Sequence, residues 1–389
     1  MPYCTTEFFF LLFFLSFDVV PVLYTTKLPQ TAHIRASRAH CNDNAPNQTP
    51  LTLPLSEHNL ICFTNIATPI ISAPMAFAST PELAAAVTGA GGFGSIGACK
   101  EPSRRVESTA GYYSSQVLKE QVQKIRTGLN IPTGEPVPIA IGFLGRILDR
   151  TETSDDLHLI AVLDKMPAAV WFAFGVDLEK YVDQFHASVE DTRRAALKGV
   201  DAVVVQGTEA GGHGVTDVPP LFVLLQAVLR EFQTNDGPLV VAAGDVSTEA
   251  HSASLLTMGA DDVVLGTRFL FTPECEYTDA QKQVLIKADL TATVHTMAFD
   301  VSRSNGWPPN CNGRAISNEI MDDYKAELTL DERLEKFDES ARDGDESRLV
   351  VWAVVGAGPT NEIKGPADVL RELHEETIEQ LNRAIELLA

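Results

Sequence analysis

One glycine-rich segment combines the residue types that acid–base chemistry beside a flat ligand needs. Residues 206–214 (QGTEAGGHG) directly follow the apolar run 202–205, and barrel folds place their sites at the ends of such buried strands. Glycines such as Gly211 and Gly212 let the main chain approach a planar ligand closely. An imidazole titrates near neutral pH and can act as acid or base. We therefore predict that His213 is catalytic, and that the other eight of the nine histidines are ordinary surface or core residues.

Two later strand ends have the composition of an anion site. Residues 242–245 (AAGD) close one apolar run, and Gly266 and Thr267 close the next. In barrels, the exposed amides after the last two strands and the dipole of a short helix bind a phosphate. We assign that role to Gly266 and Thr267, although a Gly-Thr pair alone is weak evidence because tight turns also need glycine.

A third segment, residues 72–76 (SAPMA), ends the first apolar run. Pro74 removes a main-chain donor, and its small neighbours leave room for a planar ring system. In isolation this segment could equally be core packing.

Apolar runs alternate with helical patterns from Thr68 onward, which predicts βα units stacked around a parallel sheet. We predict seven strands, at 69–73, 92–96, 138–142, 169–173, 202–206, 239–242 and 262–266. Helical patterns lie between them at 81–88, 115–127, 155–165, 220–232 and 249–258. The runs 203–205 and 263–265 lack polar alternation, as expected for strands buried on both faces. A closed barrel or a doubly wound sheet fits this order.

Residues 267–345 break the rhythm. They contain no clear strand, a Trp-Pro-Pro turn at 307–309 and the start of a charged stretch at 331–348, so we expect an appended helical segment or lid. Residues 366–389 place apolar side chains at helical spacing, which predicts a C-terminal helix docked on the barrel.

The charge balance limits the partners. Against 30 Lys and Arg stand 52 Asp and Glu, a formal net charge of −22, whereas nucleic-acid binding needs a cationic face. The six cysteines form no CxxC pair and have no histidine at zinc-ligand spacing, so we expect reduced structural thiols and no metal. The sequence does not fix the oligomeric state, for which a homodimer is one hypothesis.

The first 58 residues differ in composition from the rest. The run 8–17 (FFFLLFFLSF) is too short to span a bilayer, and unlike most secretory signals it follows a segment without Lys or Arg. We expect residues 1–58 to be a leader and flexible connection, either a signal-like segment or a spurious extension. The folded domain is expected at 59–389, including the helical segment 267–345. A cytoplasmic location is favoured over secretion, with no stable membrane span.

The three motifs together resemble the nitronate monooxygenase family, formerly 2-nitropropane dioxygenases, and in particular its fungal-type class I branch. Further matching stretches lie at 90–94 (AGGFG), at 265–274 (LGTRFLFTPE) and at 303–314 around Trp307. The likeness covers roughly residues 68–389.

The resemblance implies a (β/α)8 TIM barrel that holds FMN. It implies an enzyme that oxidises alkyl nitronates, and in some members neutral nitroalkanes, with O2 to a carbonyl compound and nitrite. His213 matches the catalytic histidine, which takes the α-proton of a nitroalkane or, when protonated, attracts the nitronate anion. The implied cofactor-binding positions are Pro74, Met75, Ala76 and Gln206 at the flavin, Gly211 and Gly212 close to it, and Gly244, Asp245, Gly266 and Thr267 at the phosphate.

Two departures from the family pattern bear on activity. Between Phe174 and Ala202 the chain offers only helical or polar stretches, at 178–186 and 188–198, where the family has one of its eight barrel strands. The gap would expose two strand edges unless another segment substitutes. Asp245 stands where the family usually has a glycine at the phosphate, and a carboxylate there would repel that group. We therefore expect weakened FMN binding.

Two other functions stay open at this point. An FMN-dependent enoyl-acyl carrier protein reductase of related architecture would need a reduced nicotinamide, and no GxGxxG segment follows a strand to bind one. A relative that keeps the motifs without a complete barrel would be inactive.

Overall fold

The computed structural model describes residues 22–25, 66–100, 111–151, 158–174, 200–232, 237–301, 307–308 and 310–386. Strands and helices are numbered here in chain order. The main sheet has eight strands, which are β1 (Val22–Thr25), β2 (Ile70–Ser72), β3 (Gly94–Gly97), β6 (Val137–Leu144), β7 (Pro167–Ala173), β8 (Ala202–Gln206), β10 (Leu239–Ala243) and β11 (Asp262–Leu265). The strands outside the main sheet are β4 (Cys99–Lys100), β5 (Gly111–Tyr112), β9 (Gly212–Val215), β12 (Thr293–Thr296) and β13 (Cys311–Ile316).

The main sheet closes into a barrel. Its strand order is β2-β11-β10-β8-β1-β7-β6-β3, and a parallel bridge between Ile71 and Phe93 joins the two ends. The Ser72 amide donates to the Phe93 carbonyl at 3.0 Å, and the Phe93 amide donates to the Ile70 carbonyl at 2.9 Å. All seven strands predicted from apolar runs are present. Wherever two of these seven strands pair with each other in the sheet, they are parallel. The predicted α/β barrel is confirmed.

The eighth strand comes from the N-terminal segment. β1 lies antiparallel between β7 and β8, at the position where the sequence pattern lacks a barrel strand. The expectation that residues 1–58 all lie outside the fold is therefore wrong for Val22–Thr25. The expected gap in the barrel is filled, because an extended segment needs only free main-chain donors and acceptors on its neighbours to pair with them. The stretches 178–186 and 188–198 lie outside the described residues.

Helices cover the barrel as the periodicity predicts. Threonine or serine caps open several of them: the side chains of Thr80, Ser114 and Thr248 each accept a main-chain hydrogen bond from the first turn. Of the predicted helix at 155–165, the structure describes residues 158–163 as helical. The helices are α1 (Pro81–Gly89), α2 (Ser115–Gly128), α3 (Gly145–Thr151), α4 (His158–Leu163), α5 (Leu221–Glu231), α6 (Glu249–Met258), α7 (Thr267–Leu270), α8 (Asp279–Ile286), α9 (Ala298–Val301), α10 (Glu319–Lys325), α11 (Leu330–Asp343) and α12 (Pro366–Glu386).

Two apolar layers stabilise the barrel. Strand side chains such as Phe93, Trp171 and Val204 pack together in one buried cluster. A second cluster joins strands to the surrounding helices, and it includes Val369 and Leu370 of α12. The predicted docking of the C-terminal helix is thus confirmed. Each fully buried Val or Leu contributes about 1.5–3 kcal/mol. No helix in the described part of the chain is long and apolar enough to cross a membrane.

The segment after β11 is not purely helical. β13 pairs with both β12 and β9 in a three-stranded antiparallel sheet, so the expectation of no strand between 267 and 345 is wrong. The sequences TVHT and CNGRAI are short and partly polar, and they form strands because β13 pairs with a neighbour on each side. Since β9 carries His213, this small sheet fixes the main chain of the predicted catalytic residue.

Candidate active site

A deep cavity opens at the carboxyl ends of the barrel strands. Its space, including the part open to solvent, is about 1480 Å³. Its walls come from the loops after β2, β6, β8, β10 and β11 and from the segment at 352–354. The loops that follow five barrel strands therefore border one space.

All eleven residues predicted from the sequence motifs line this one cavity. They come from four separate stretches of chain, which only the closed barrel brings together. The eleven residues are Pro74, Met75, Ala76, Gln206, Gly211, Gly212, His213, Gly244, Asp245, Gly266 and Thr267.

His213 is held by a buried carboxylate. Its Nε2 lies 2.9 Å from Oδ1 and 3.0 Å from Oδ2 of Asp300, and the Asp300 side chain is only 2% exposed. Gln206 at the end of β8 donates its side-chain amide to the His213 carbonyl at 3.1 Å. Both the ring and the main chain of His213 are therefore fixed.

Aromatic rings confine the same imidazole. The Trp307 ring stacks on it with centroids 3.7 Å apart and an interplanar angle of 11°, and the Trp352 ring lies 4.7 Å away at 52°. A Cβ at Gly313 on β13 would overlap the Trp352 ring, so this glycine is what admits the tryptophan. These contacts leave the imidazole little freedom to tilt.

A buried cation adjoins this stack. The Arg146 guanidinium carbon lies 4.1 Å from the Trp307 ring centroid, and Arg146 is buried and lines the cavity. Guanidinium groups stack favourably on aromatic faces. The cavity thus carries a fixed positive charge near His213, in a chain whose net charge is strongly negative.

The segment 74–76 forms a flat, apolar wall. A Cβ on Gly142 would lie 2.5 Å from the Pro74 Cβ, and one on Gly97 would lie 3.1 Å from the Ala76 amide nitrogen. Glycines on β3 and β6 therefore let this segment approach the barrel. The Met75 amide donates to Ser79 Oγ at 3.0 Å, which fixes the turn. The wall suits a planar ring system.

The two glycines before His213 have different tasks. A Cβ on Gly211 would lie 2.5 Å from the main-chain carbonyl carbon of Ala353, so Gly211 permits close packing against the 352–354 segment. Gly212 has φ 72° and nothing within 4 Å of a Cβ position. Of these two glycines, Gly212 is the one that faces open space, as expected for a residue beside a cofactor.

The other end of the cavity is polar and glycine-rich. Gly244 has φ 109° and Asp245 has φ 54°, and Gly266 precedes the short helix α7. Asp245 Oδ1 accepts the Gly356 amide at 2.7 Å, and Thr267 Oγ1 accepts the Val354 amide at 3.1 Å. Burial is the main cause that raises the pKa of Asp245, while the Gly356 hydrogen bond partly offsets it. The Asp245 carboxylate, which we predicted would repel a phosphate, therefore accepts a hydrogen bond from the 355–357 turn.

The cysteine beside the cavity is not a nucleophile. Burial raises the pKa of Cys99 to about 12, so it stays a thiol at neutral pH. Cys99, Cys275 and Cys311 are free and buried, as the spacing of cysteines predicts for these three. No cluster of metal-ligating side chains occurs in the described ranges.

Sequence reasoning missed three functional neighbours of His213. Asp300, Arg146 and Trp352 carry no motif, and Asp300 lies 87 residues away from His213 in the chain. Trp307 belongs to a stretch that matches the family, but nothing in the sequence places it on the imidazole.

Comparisons with known proteins agree with the geometry. The family model described as nitronate monooxygenase matches residues 57–374. A nitronate monooxygenase of Neurospora crassa is 30% identical, with 81% of this chain and 90% of that protein covered. A nitronate monooxygenase of Metarhizium robertsii is 27% identical, with 79% and 90% covered.

Solved structures share the fold. FabK from Thermotoga maritima has a TM-score of 0.61 at 22% identity, covering 84% of this chain and 98% of its own. A nitroalkane oxidase from Streptomyces ansochromogenes has a TM-score of 0.61 at 22% identity, covering 84% and 99%. At these identities the likeness establishes the barrel architecture alone.

Proposed function

The chain belongs to the nitronate monooxygenase family, and on that basis we propose that it oxidises alkyl nitronates, and neutral nitroalkanes, with O2 while FMN occupies the central cavity. It is an oxidoreductase of a flavin-dependent family. The observation that supports the finer assignment best is the convergence of all eleven predicted residues on one cavity around a histidine held by a buried carboxylate.

The residues present fit a flavin nucleotide. The wall at Pro74, Met75 and Ala76 and the open side of Gly212 would flank the ring system. The glycine-rich end at Gly244, Gly266 and Thr267 would hold the phosphate through main-chain amides. Bound FMN would supply the redox chemistry, accepting electrons from the substrate and passing them to O2.

His213 supplies the proton chemistry. With a neutral nitroalkane its unprotonated imidazole takes the α-proton, a step to which a well-placed base typically contributes about 10²–10⁴-fold. With a nitronate, which has already lost that proton, a protonated His213 attracts the anion. Arg146 adds a fixed positive charge at the same wall, and attraction across a buried, low-dielectric site is stronger than in water.

The test uses the full chain, because β1 is part of the barrel. Flavin bands in the visible spectrum, release of FMN on denaturation, and oxygen uptake with propionate 3-nitronate in the absence of NADH are expected. His213→Ala should retain the flavin and lose most nitroalkane turnover. Asp331→Asn, an exposed change on α11, is the control for altered charge.

Other outcomes would favour the alternatives. Activity that requires NADH or NADPH and an enoyl thioester would indicate an enoyl reductase, whose fold FabK shares. A folded, colourless protein that takes up no FMN would indicate an inactive relative. Light scattering on the same preparation reports the oligomeric state, for which a homodimer is our hypothesis.

A further inference from the structure

Asp300 is the carboxylate in contact with the ring of His213. It lies on the short helix α9, is buried, and directs both carboxylate oxygens to His213 Nε2, at 2.9 and 3.0 Å. Asp300 is not among the residues that line the cavity. It can therefore act on a substrate only through the imidazole.

The contact with Asp300 distinguishes the two ring nitrogens of His213. An ionised carboxylate only accepts hydrogen bonds, so Nε2 must carry a proton. A neutral imidazole has one N–H and one lone pair, which leaves the lone pair on Nδ1. Flipping the ring would break the contact with Asp300, and Trp307 and Trp352 restrict its tilt.

We propose that Asp300 is a positioning residue that holds His213 in the Nε2–H form, so that Nδ1 is the atom that takes the α-proton of a nitroalkane. In this step the C–H bond breaks, its electron pair delocalises into the nitro group to give the nitronate, and the proton bonds to Nδ1. The resulting imidazolium lies against the carboxylate of Asp300, which stabilises its charge. This inference rests on the proposed function.

The test compares a neutral nitroalkane with its own nitronate in Asp300→Asn. Only the neutral substrate needs proton removal, so the ratio of its kcat/KM to that of the nitronate should fall about 10- to 100-fold. With α-deuterated nitroalkane, the isotope effect on kcat/KM should rise toward its full value. Asp300→Glu keeps a carboxylate and should restore part of the ratio.

The matched control is Asp323→Asn, which removes a buried aspartate that pairs with Arg348 and does not line the cavity. It should change kcat/KM for the nitroalkane and for the nitronate by the same factor, so that their ratio stays as in the wild type. An unchanged substrate ratio in both Asp300 variants, with FMN retained, overturns the role of Asp300. Absence of oxygen uptake by the wild type with any nitronate instead overturns the proposed function itself.

The antiparallel strand β1 carries a second, independent inference. The four residues Val22–Thr25 pair with β7, and two of them also pair with β8. The pairs are Val22 with Phe172 and Val203, Leu23 with Trp171 and Ala202, Tyr24 with Val170, and Thr25 with Ala169. Without β1, both neighbours would present unpaired main-chain groups at the centre of the sheet.

The cavity has walls on both strands that flank β1, which are β7 and β8. Phe174, which follows β7, packs edge-on against Trp307 with ring centroids 5.0 Å apart, while Gln206 at the end of β8 holds the His213 carbonyl. A gap between β7 and β8 would let these two walls separate. The pairing of β1 with β7 and β8 is thus coupled to the geometry around the imidazole of His213.

We infer that the chain's own N-terminal segment replaces the missing barrel strand, and that flavin retention requires it. At Leu23 the strand has a paired neighbour on each side, so Leu23→Pro removes a ladder hydrogen bond whichever way the N–H points. The variant should lose at least half of its bound flavin and unfold at a lower temperature. Leu23→Val keeps the donor and suits a strand, and it should behave as wild type.

Hydrogen exchange keeps this inference testable if Leu23→Pro fails to fold. In the wild type, amides of residues 22–25 should exchange far more slowly than those of a free peptide with the same sequence. A synthetic peptide of residues 18–30 should restore flavin to the Leu23→Pro chain, whereas a scrambled peptide should not. Unprotected amides at 22–25, or full flavin content in Leu23→Pro, would overturn it.

Discussion

Replacing Asp245 by asparagine should strengthen FMN binding. Asp245 lines the polar end of the cavity beside Gly244, and its Oδ1 accepts the Gly356 amide. Its φ of 54° lies in the left-handed region, which asparagine tolerates better than most residues. An asparagine oxygen can accept the same hydrogen bond. The substitution therefore removes one negative charge and leaves the local structure intact.

The size of the effect follows from Coulomb's law. At an effective dielectric constant of about 20, two like unit charges repel each other by about 4 kcal/mol at about 4 Å and by about 2 kcal/mol at about 8 Å, and we take the smaller value. That energy corresponds to a roughly 30-fold lower Kd for FMN in Asp245→Asn, since each 1.4 kcal/mol is about tenfold. Salt would reduce the difference.

The pH dependence has a definite sign. Burial raises the pKa of Asp245 in the folded protein, so ionising this carboxyl disfavours the fold. Its contribution to stability is fully present below the unfolded-state pKa and is lost as pH rises through the raised, folded-state pKa. Repulsion of the phosphate grows over the same rise. The wild-type Kd should therefore increase relative to that of Asp245→Asn as pH rises through this range.

Fluorescence titration of the flavin-free protein measures both effects. Riboflavin, which lacks the phosphate, is the ligand control and should bind wild type and variant equally. Asp331→Asn removes an exposed charge on α11 and should leave both ligands unaffected. Equal strengthening of FMN and riboflavin, or weaker FMN binding in Asp245→Asn, would refute the electrostatic explanation.

Three further predictions concern the fold and the cavity. The buried Arg126 guanidinium donates three hydrogen bonds to loop carbonyls at 2.6–2.8 Å, so Arg126→Met should lower the free energy of unfolding by about 3 kcal/mol in urea titrations; an unchanged midpoint would contradict this. Gly142→Ala should weaken FMN binding about tenfold by displacing Pro74, whereas Gly128→Ala, whose Cβ would come no closer than 4.0 Å to the Ala85 Cβ, should not. Arg146→Met should raise KM for the nitronate about tenfold in oxygen-uptake assays, and an equal rise for the neutral nitroalkane would argue against a charge effect.

Much of the barrel could be predicted from local patterns. The seven parallel strands were predicted from short apolar runs, and the runs 203–205 and 263–265 lack polar alternation, a composition that follows from burial on both faces. The glycine-rich loop at 206–214 and the strand ends at Gly244 and Gly266 were identifiable because barrel sites follow strand ends. The set of cofactor-binding residues came from the resemblance to the family, and their convergence on one cavity is a consequence of barrel closure.

The eighth strand could not be predicted in this way. Val22–Thr25 (VLYT) have strand-prone residue types, but four residues do not specify a partner, and their pairing with β7 and β8 depends on free main-chain groups far along the chain. β12 and β13 were missed for the same reason, since β12 pairs with β13 and β13 pairs with the distant β9.

The sequence by itself determined the class of fold, the identity of the catalytic candidate and the family to which the chain belongs. These depend on residue type, apolar periodicity and short motifs, all of which are local. Only the tertiary structure shows how the barrel closes. It also shows that Asp300 contacts His213 Nε2 and that Asp245 accepts a hydrogen bond from the Gly356 amide. Those contacts join residues 87 and 111 positions apart, and a hydrogen bond depends on distance and direction in space, which no spacing along the chain specifies.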